Sequence, residues 1–292
     1  MIVGIFVFSM LSFAIASAIY GIGPEQLQDL LNDLDNPVAI SVVKLIQTVS
    51  AIGTFILPAL FLAYVFGNST GEYLRLNKKT NWFSVVIVFL LFIAAVPLIN
   101  FLGELNSRME LPSWMAGLER QMRASEDQAA RLTEKFLEIN TPFQLFFTII
   151  MVAVLPALGE ELMFRGILQR IFGEWSGSKH TGIWASAILF SAMHMQFYGF
   201  VPRMLLGVLL GYLFLWSGSL WLPVIAHFIN NAAAVIASYM YNHETLSVNP
   251  DTIGTQNETL TVLASAALTA ALLVLIYRRE KERDHHRQAF AD

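Results

Sequence analysis

Hydrophobic positions along this chain fall in long unbroken runs, with little of the strict alternation that marks half-buried strands. Eight apolar segments stand out, near 2–20, 38–67, 82–102, 142–172, 181–199, 200–216, 219–241 and 260–277. Runs of about 20 such residues have the length of a bilayer-crossing helix. Without water to satisfy backbone polar groups, a helix is the element such a run forms. The pattern therefore predicts an all-α fold, a polytopic membrane helix bundle of about eight transmembrane helices. The segment 103–141 breaks the pattern. It carries both signs of charge, and "SEDQAARLTEKFLEIN" offers a serine cap followed by helical apolar spacing. It is expected to form one or two amphipathic helices lying along the outer interface. A solvated connector is the plainer alternative.

Composition agrees with the pattern. Hydrophobic residues make up 55% of the 292 positions and charged residues 14%, with a mean hydropathy of +0.57. An average soluble domain has about 25% charged residues. A net charge of -4 without a basic patch argues against nucleic-acid partners. The absence of cysteine excludes disulfides, a thiol nucleophile and a cysteine-ligated metal. The N-terminal run has small residues where a signal peptidase could cut but no basic n-region, so it is expected to remain as a first span.

Lysine and arginine set the expected orientation. Arg75, Lys78 and Lys79 follow the second segment, Arg170 and Lys179 the fourth, and Arg278, Arg279, Lys281, Arg283 and Arg287 the eighth. The loop after the first segment and the one before the eighth hold acids without lysine or arginine. Eight spans put the basic clusters on one side, the cytoplasm, with both termini there. A bacterial inner membrane suits this arrangement.

The ionisable residues inside the segments carry the candidate chemistry. Lys44 and Arg203 lie near segment ends, where long side chains can snorkel to the interface. The others are Glu160, Glu161, Arg165, His194 and His227. Glu161 and Arg165 are at i and i+4 on one helical face, with the acid nearer the N-terminus, so they can neutralise each other. Glu160 is turned about 100° from Glu161 and has no cation nearby in sequence. Phe190 and His194 are spaced i, i+4, as are His227 and Asn231. Each pair alone is consistent with interhelical hydrogen bonding. Depth links them: at about 1.5 Å per residue these groups lie roughly 12–20 Å from the cytoplasmic ends. Pro156 and Pro223 each precede a polar residue by four positions and are expected to kink their helices and open a wet pocket. Gly207 and Gly211 form a GxxxG, expected to be a close helix-packing face.

The ordered set "EELMFR", "FSAMH" and "HFINN" resembles EExxxR, FxxxH and HxxxN of the CPBP family of intramembrane glutamic endopeptidases. That family includes the type II CAAX prenyl proteases and the bacterial Abi and bacteriocin-processing proteins. The resemblance covers roughly residues 142–241. The chain then divides into an N-terminal three-span region 1–141, a CPBP-like core 142–241, and a last span with a basic tail 242–292, all within one membrane domain. The resemblance implies that Glu160 activates water with help from His194, and that His227 and Asn231 stabilise the oxyanion. Glu161, Arg165 and Phe190 take supporting positions. It implies a membrane-associated protein or peptide substrate and no cofactor or metal.

Other readings differ in chemistry. Glu160, His194 and His227 could form a His₂Glu zinc site, although no HExxH is present. A non-catalytic scaffold or immunity protein could use the same fold. A transporter with a proton relay would use similar residues but usually shows paired repeats, which the sequence lacks.

Overall fold

The computed structural model describes the chain except residues 1, 24, 27, 28, 31, 32, 34, 256, 257 and 290–292, and except the side chains of residues 2, 3, 5 and 284–289. Part of the acidic loop after the first segment, and the side chain of Arg287, thus lie outside the described residues.

Each apolar segment folds as a helix. In chain order these are α1 (Ile2–Tyr20), α2 (Pro37–Phe66) and α3 (Trp82–Ser107), then the amphipathic α4 (Ala116–Leu137). There follow α5 (Pro142–Ser176), α6 (Lys179–Ala192), α7 (Phe200–Ser217), α8 (Trp221–Asn242) and α9 (Thr259–Ala289). Among the described residues, α2, α3, α5, α7, α8 and α9 are long and apolar enough to cross a membrane, with a shorter apolar helix at Phe6–Tyr20. The chain is thus an integral membrane protein built as a helical bundle. The segment 181–199 is the one whose extent changes. Its helix α6 has 14 residues, about 21 Å of rise against a hydrocarbon core of about 30 Å. Residues 193–199 form turns.

Local chemistry sets the helix ends. Asn36 and Asn81 accept from the backbone of Val38 and Phe83 to cap α2 and α3. Thr141 and Gln144 form a reciprocal capping box at the start of α5, with Pro142 at the first position. Gly177 and Gly218 end α5 and α7 at φ of +66° and +63°, a region costly for side chains with a Cβ. Two expectations fail here. Ser125 lies inside α4 and caps nothing, because the helix begins nine residues earlier at Ala116. Pro223 lies in the first turn of α8, where a backbone N–H would have no helical partner, so it does not kink the helix.

One buried cluster joins α2, α5, α6 and α7 through Ala59, Phe164, Phe190 and Phe214. A second joins α3, α7, α8 and α9 through Val88, Leu210, Leu222 and Ile276. The GxxxG expectation is met: a Cβ on Gly207 would lie 3.0 Å from that of Ala187, and one on Gly211 would lie 2.8 Å from Ile183 Cγ2. Large side chains such as Phe61, Tyr64 and Phe89 face outward, where a bilayer supplies the apolar partner.

The basic loop 73–79 is tied into one end of the bundle. Its carbonyls at Leu76, Lys78 and Lys79 accept from Trp221 Nε1, Ser219 Oγ and Arg283 Nη2 respectively. Tyr73 O accepts from Arg170. Arg170 of α5 and Arg283 of α9 thus meet the loop after α2 at one end of the bundle. The other end of α3 adjoins α4.

Candidate active site

Glu160 and Glu161 sit between two π-helical stretches of α5, at Ile150–Val154 and Phe164–Leu168. Such widened turns recur at functional sites because they redirect side chains and loosen the hydrogen-bond ladder. No motif in the sequence announced them.

Glu161 and Arg165 form the expected pair. Both are buried, and Arg165 Nη1 lies 2.7 Å from Glu161 Oε1. The pair is larger than the sequence implied. Arg165 Nη2 donates to Gly207 O at 3.0 Å, a carbonyl exposed to it by the close approach of α7. The guanidinium also stacks over Phe190, 4.9 Å from the ring centroid. His227 Nδ1 lies 2.8 Å from the same Glu161 Oε1. An ionised carboxylate can only accept, so Nδ1 carries the proton and Nε2 is turned away from Glu161. Glu161 Oε2 is buried without a hydrogen-bond partner among the described residues.

Glu160 is placed differently. It makes no hydrogen bond among the described residues, and its ion-pair contact is His227 Nε2 at 3.9 Å. It lines a cavity of about 710 Å³ with Phe190, His194, Arg203, His227 and Asn231. Leu91, Phe92, Leu206 and Leu209 make its remaining wall largely apolar. Among the described residues no group of three or more His, Asp or Glu side chains is arranged to hold a metal ion.

His194 lies in the turn after α6, not within a membrane span as its spacing suggested. Its Nδ1 is 2.8 Å from Phe190 O. A carbonyl only accepts, so Nδ1 is the donor and Nε2 keeps a free lone pair. The turn is held from outside. Asn106, at the end of α3, donates to Phe197 O at 3.2 Å and accepts from Val201 N at 2.8 Å. From α4, Glu126 accepts from Tyr198 N, and Arg123 stacks on the Tyr198 ring 4.1 Å from its centroid. The segment 103–141 is thereby linked to the histidine turn.

Asn231 Nδ2 donates to Val152 O at 3.1 Å, while its Oδ1 accepts from Asn230. In an α-helical register Val152 O would pair with the N–H of residue 156, which is proline and has none. Pro156 thus removes the α-helical partner of the carbonyl that Asn231 engages, and Nδ2 retains one hydrogen for a ligand.

Arg203 departs from expectation. Rather than snorkelling to the interface, it turns into the cavity, because Gln196 Oε1 accepts from its Nη2 at 2.5 Å. The sequence offered one overlooked signal, the small residue Gly199 one helical turn before it.

The fold and the cavity define a class: a polytopic membrane protein with a part-buried glutamate, two imidazoles and an amide lining one cavity. Residues 142–233 match the family described as type II CAAX prenyl endopeptidase Rce1-like. This bears out the family resemblance over the segment that carries its motifs. The chain is also 34% identical over 88 residues to the uncharacterized protein YpbD of Bacillus subtilis (strain 168). That stretch is 29% of this chain, and it spans 42% of the length of that relative. No solved structure matches.

Proposed function

We propose that the chain is an intramembrane endopeptidase that hydrolyses a peptide bond by glutamate-activated water. The observation that carries this reading is the cavity itself, which Glu160 of α5, His194 of the turn after α6, and His227 and Asn231 of α8 all line. The Rce1-like match over the same residues supports it.

Glu160, lacking a hydrogen-bonding partner, is the acceptor for a proton from water. His194 Nε2 can accept from the same water and orient it. As the water oxygen bonds to the carbonyl carbon, negative charge grows on the former carbonyl oxygen. Asn231 Nδ2 has a hydrogen to offer there, held in place by Val152 O. His227 donates from Nε2 only when both ring nitrogens are protonated. Glu161 at Nδ1 would balance that charge, which gives the second glutamate a role beyond pairing with Arg165. When the C–N bond breaks, the proton on Glu160 passes to the leaving nitrogen. No serine or cysteine nucleophile is needed.

The substrate in this reading is a membrane-associated protein or peptide. The basic end faces the cytoplasm, so reporters fused after Lys79 and near Asp251 should give opposite signals. The function is tested by profiling peptide termini in membranes from cells carrying wild-type protein or Glu160→Gln. New termini should appear with the wild type alone; identical profiles would defeat the proposal. Exhaustive chelation should leave the purified activity intact. Loss to chelator with recovery on adding Zn²⁺ would assign Glu160, His194 and His227 to a metal.

A further inference from the structure

The cavity contains a cation that the hydrolytic steps do not use. Arg203 stands in the first turn of α7, with its guanidinium against Gly199, where a Cβ would lie 3.1 Å from Nη2 and 3.4 Å from Nη1. Gln196 holds Nη2. Nη1 is buried and has no hydrogen-bond partner among the described residues, and the residue lines the cavity shared with Glu160. Glu160 and Glu126 are near enough to act on it electrostatically. Neither forms an ion pair with it within 4 Å among the described residues, and Glu126 Oε2 is engaged by Tyr198 N. The adjoining helix start is also satisfied, since Val201 N donates to Asn106 and Pro202 has no N–H. Besides the remaining Asn231 Nδ2 hydrogen, the guanidinium nitrogen is thus a donor left for a ligand.

We propose that Arg203 docks a carboxylate of the substrate, a specificity contact that rests on the peptidase reading of this cavity. Leaving a desolvated guanidinium N–H unpaired is costly, and a planar fork is matched best by a planar two-oxygen anion. An unmodified peptide supplies that anion from two sources, its free C-terminus or an Asp or Glu side chain. Gln196 and Gly199 fix the guanidinium so that little side-chain freedom remains to be lost on binding.

Binding can be measured without turnover. The probes are lauroyl-Ala-Leu with a free C-terminal carboxylate, the same compound as its C-terminal amide, and lauroyl-Asp-Leu amide, each titrated into the detergent-solubilised full chain. At least one carboxylate probe should bind the wild type about 10–100-fold more tightly than lauroyl-Ala-Leu amide, the range for one hydrogen bond to a charged group. Which probe holds the advantage identifies the source. In Arg203→Gln the gap should close, and in Arg203→Lys it should narrow but persist. Equal binding of all three probes to the wild type would overturn the proposal, whether or not the variants fold. A gap that survives Arg203→Gln would also overturn it. Failure of the peptidase reading has a separate signature, unchanged peptide termini in Glu160→Gln cells, while the gap in probe binding remains.

Discussion

Glu160 and Glu161 are chain neighbours, yet the two faces of α5 treat them in opposite ways. On the Glu161 side the charges are enclosed: one carboxylate oxygen meets both Arg165 and His227, and the arginine also reaches a backbone carbonyl of α7. On the Glu160 side a carboxylate, a histidine and a guanidinium line one cavity, and Arg203 Nη1 has no hydrogen-bond partner among the described residues. Pairing holds a fold together, whereas unused hydrogen-bonding capacity is what a ligand can engage. The comparison teaches that adjacent identical residues can divide architecture from chemistry by a rotation of about 100°.

The sharpest way to break this division is Glu160→Gln. It keeps shape and hydrogen bonding but cannot take a proton, so turnover should fall by about 10²–10⁴ with folding largely intact. A melting temperature lowered as much as by loss of Glu161 would show the two faces to be equivalent. The converse test removes the enclosed pair. Arg165→Ala strands a desolvated carboxylate and should destabilise by about 3–5 kcal/mol, seen as a lower midpoint in detergent unfolding. A thermally unchanged Arg165→Ala would mean that water reaches the pair.

Asn231→Ala sits between these cases, because the amide lines the cavity and also bonds the backbone of α5. Loss of the proposed oxyanion donor should reduce turnover by about 10²–10³. The freed Val152 carbonyl should add a modest fall in stability, measurable in the same unfolding experiment. Full activity in this variant would remove Asn231 from the chemistry. The smallest effect is expected at a distance. Asn106→Ala leaves Phe197 O and Val201 N without their side-chain partner, at a cost of about 1–3 kcal/mol. Hydrogen exchange should quicken locally in residues 195–201, and unchanged exchange there would show that α3 does not hold the histidine turn.

Much of this arrangement was legible in the sequence because bilayer physics is severe. Apolar runs had to be helices, and charged residues within them had to find partners or a purpose. The Glu161–Arg165 pair followed from helical spacing alone. What spacing could not convey was partners distant in the chain: His227 on Glu161, Gly207 O on Arg165, and Val152 O on Asn231 join helices whose approach depends on small residues and altered turns. The π-helical stretches have no composition signal. Arg203 was misplaced because its distance from a segment end says how deep it lies and not which way it points. His194 was placed in a span because the apolar run continues past the last helical turn at Ala192.

That early end of α6 has a consequence for traffic. The histidine turn lies beside α4 and the far end of α3, at the opposite end of that 26-residue helix from the basic loop 73–79. The proposed hydrolysis consumes a water molecule and produces an amine and a carboxylate, and hydrocarbon rejects all three. Supply and waste should therefore pass through the end of the bundle where the short helix stops. A helix too short to cross the bilayer would in this way give the reaction a direction, with water drawn from one compartment and the polar fragments returned to it.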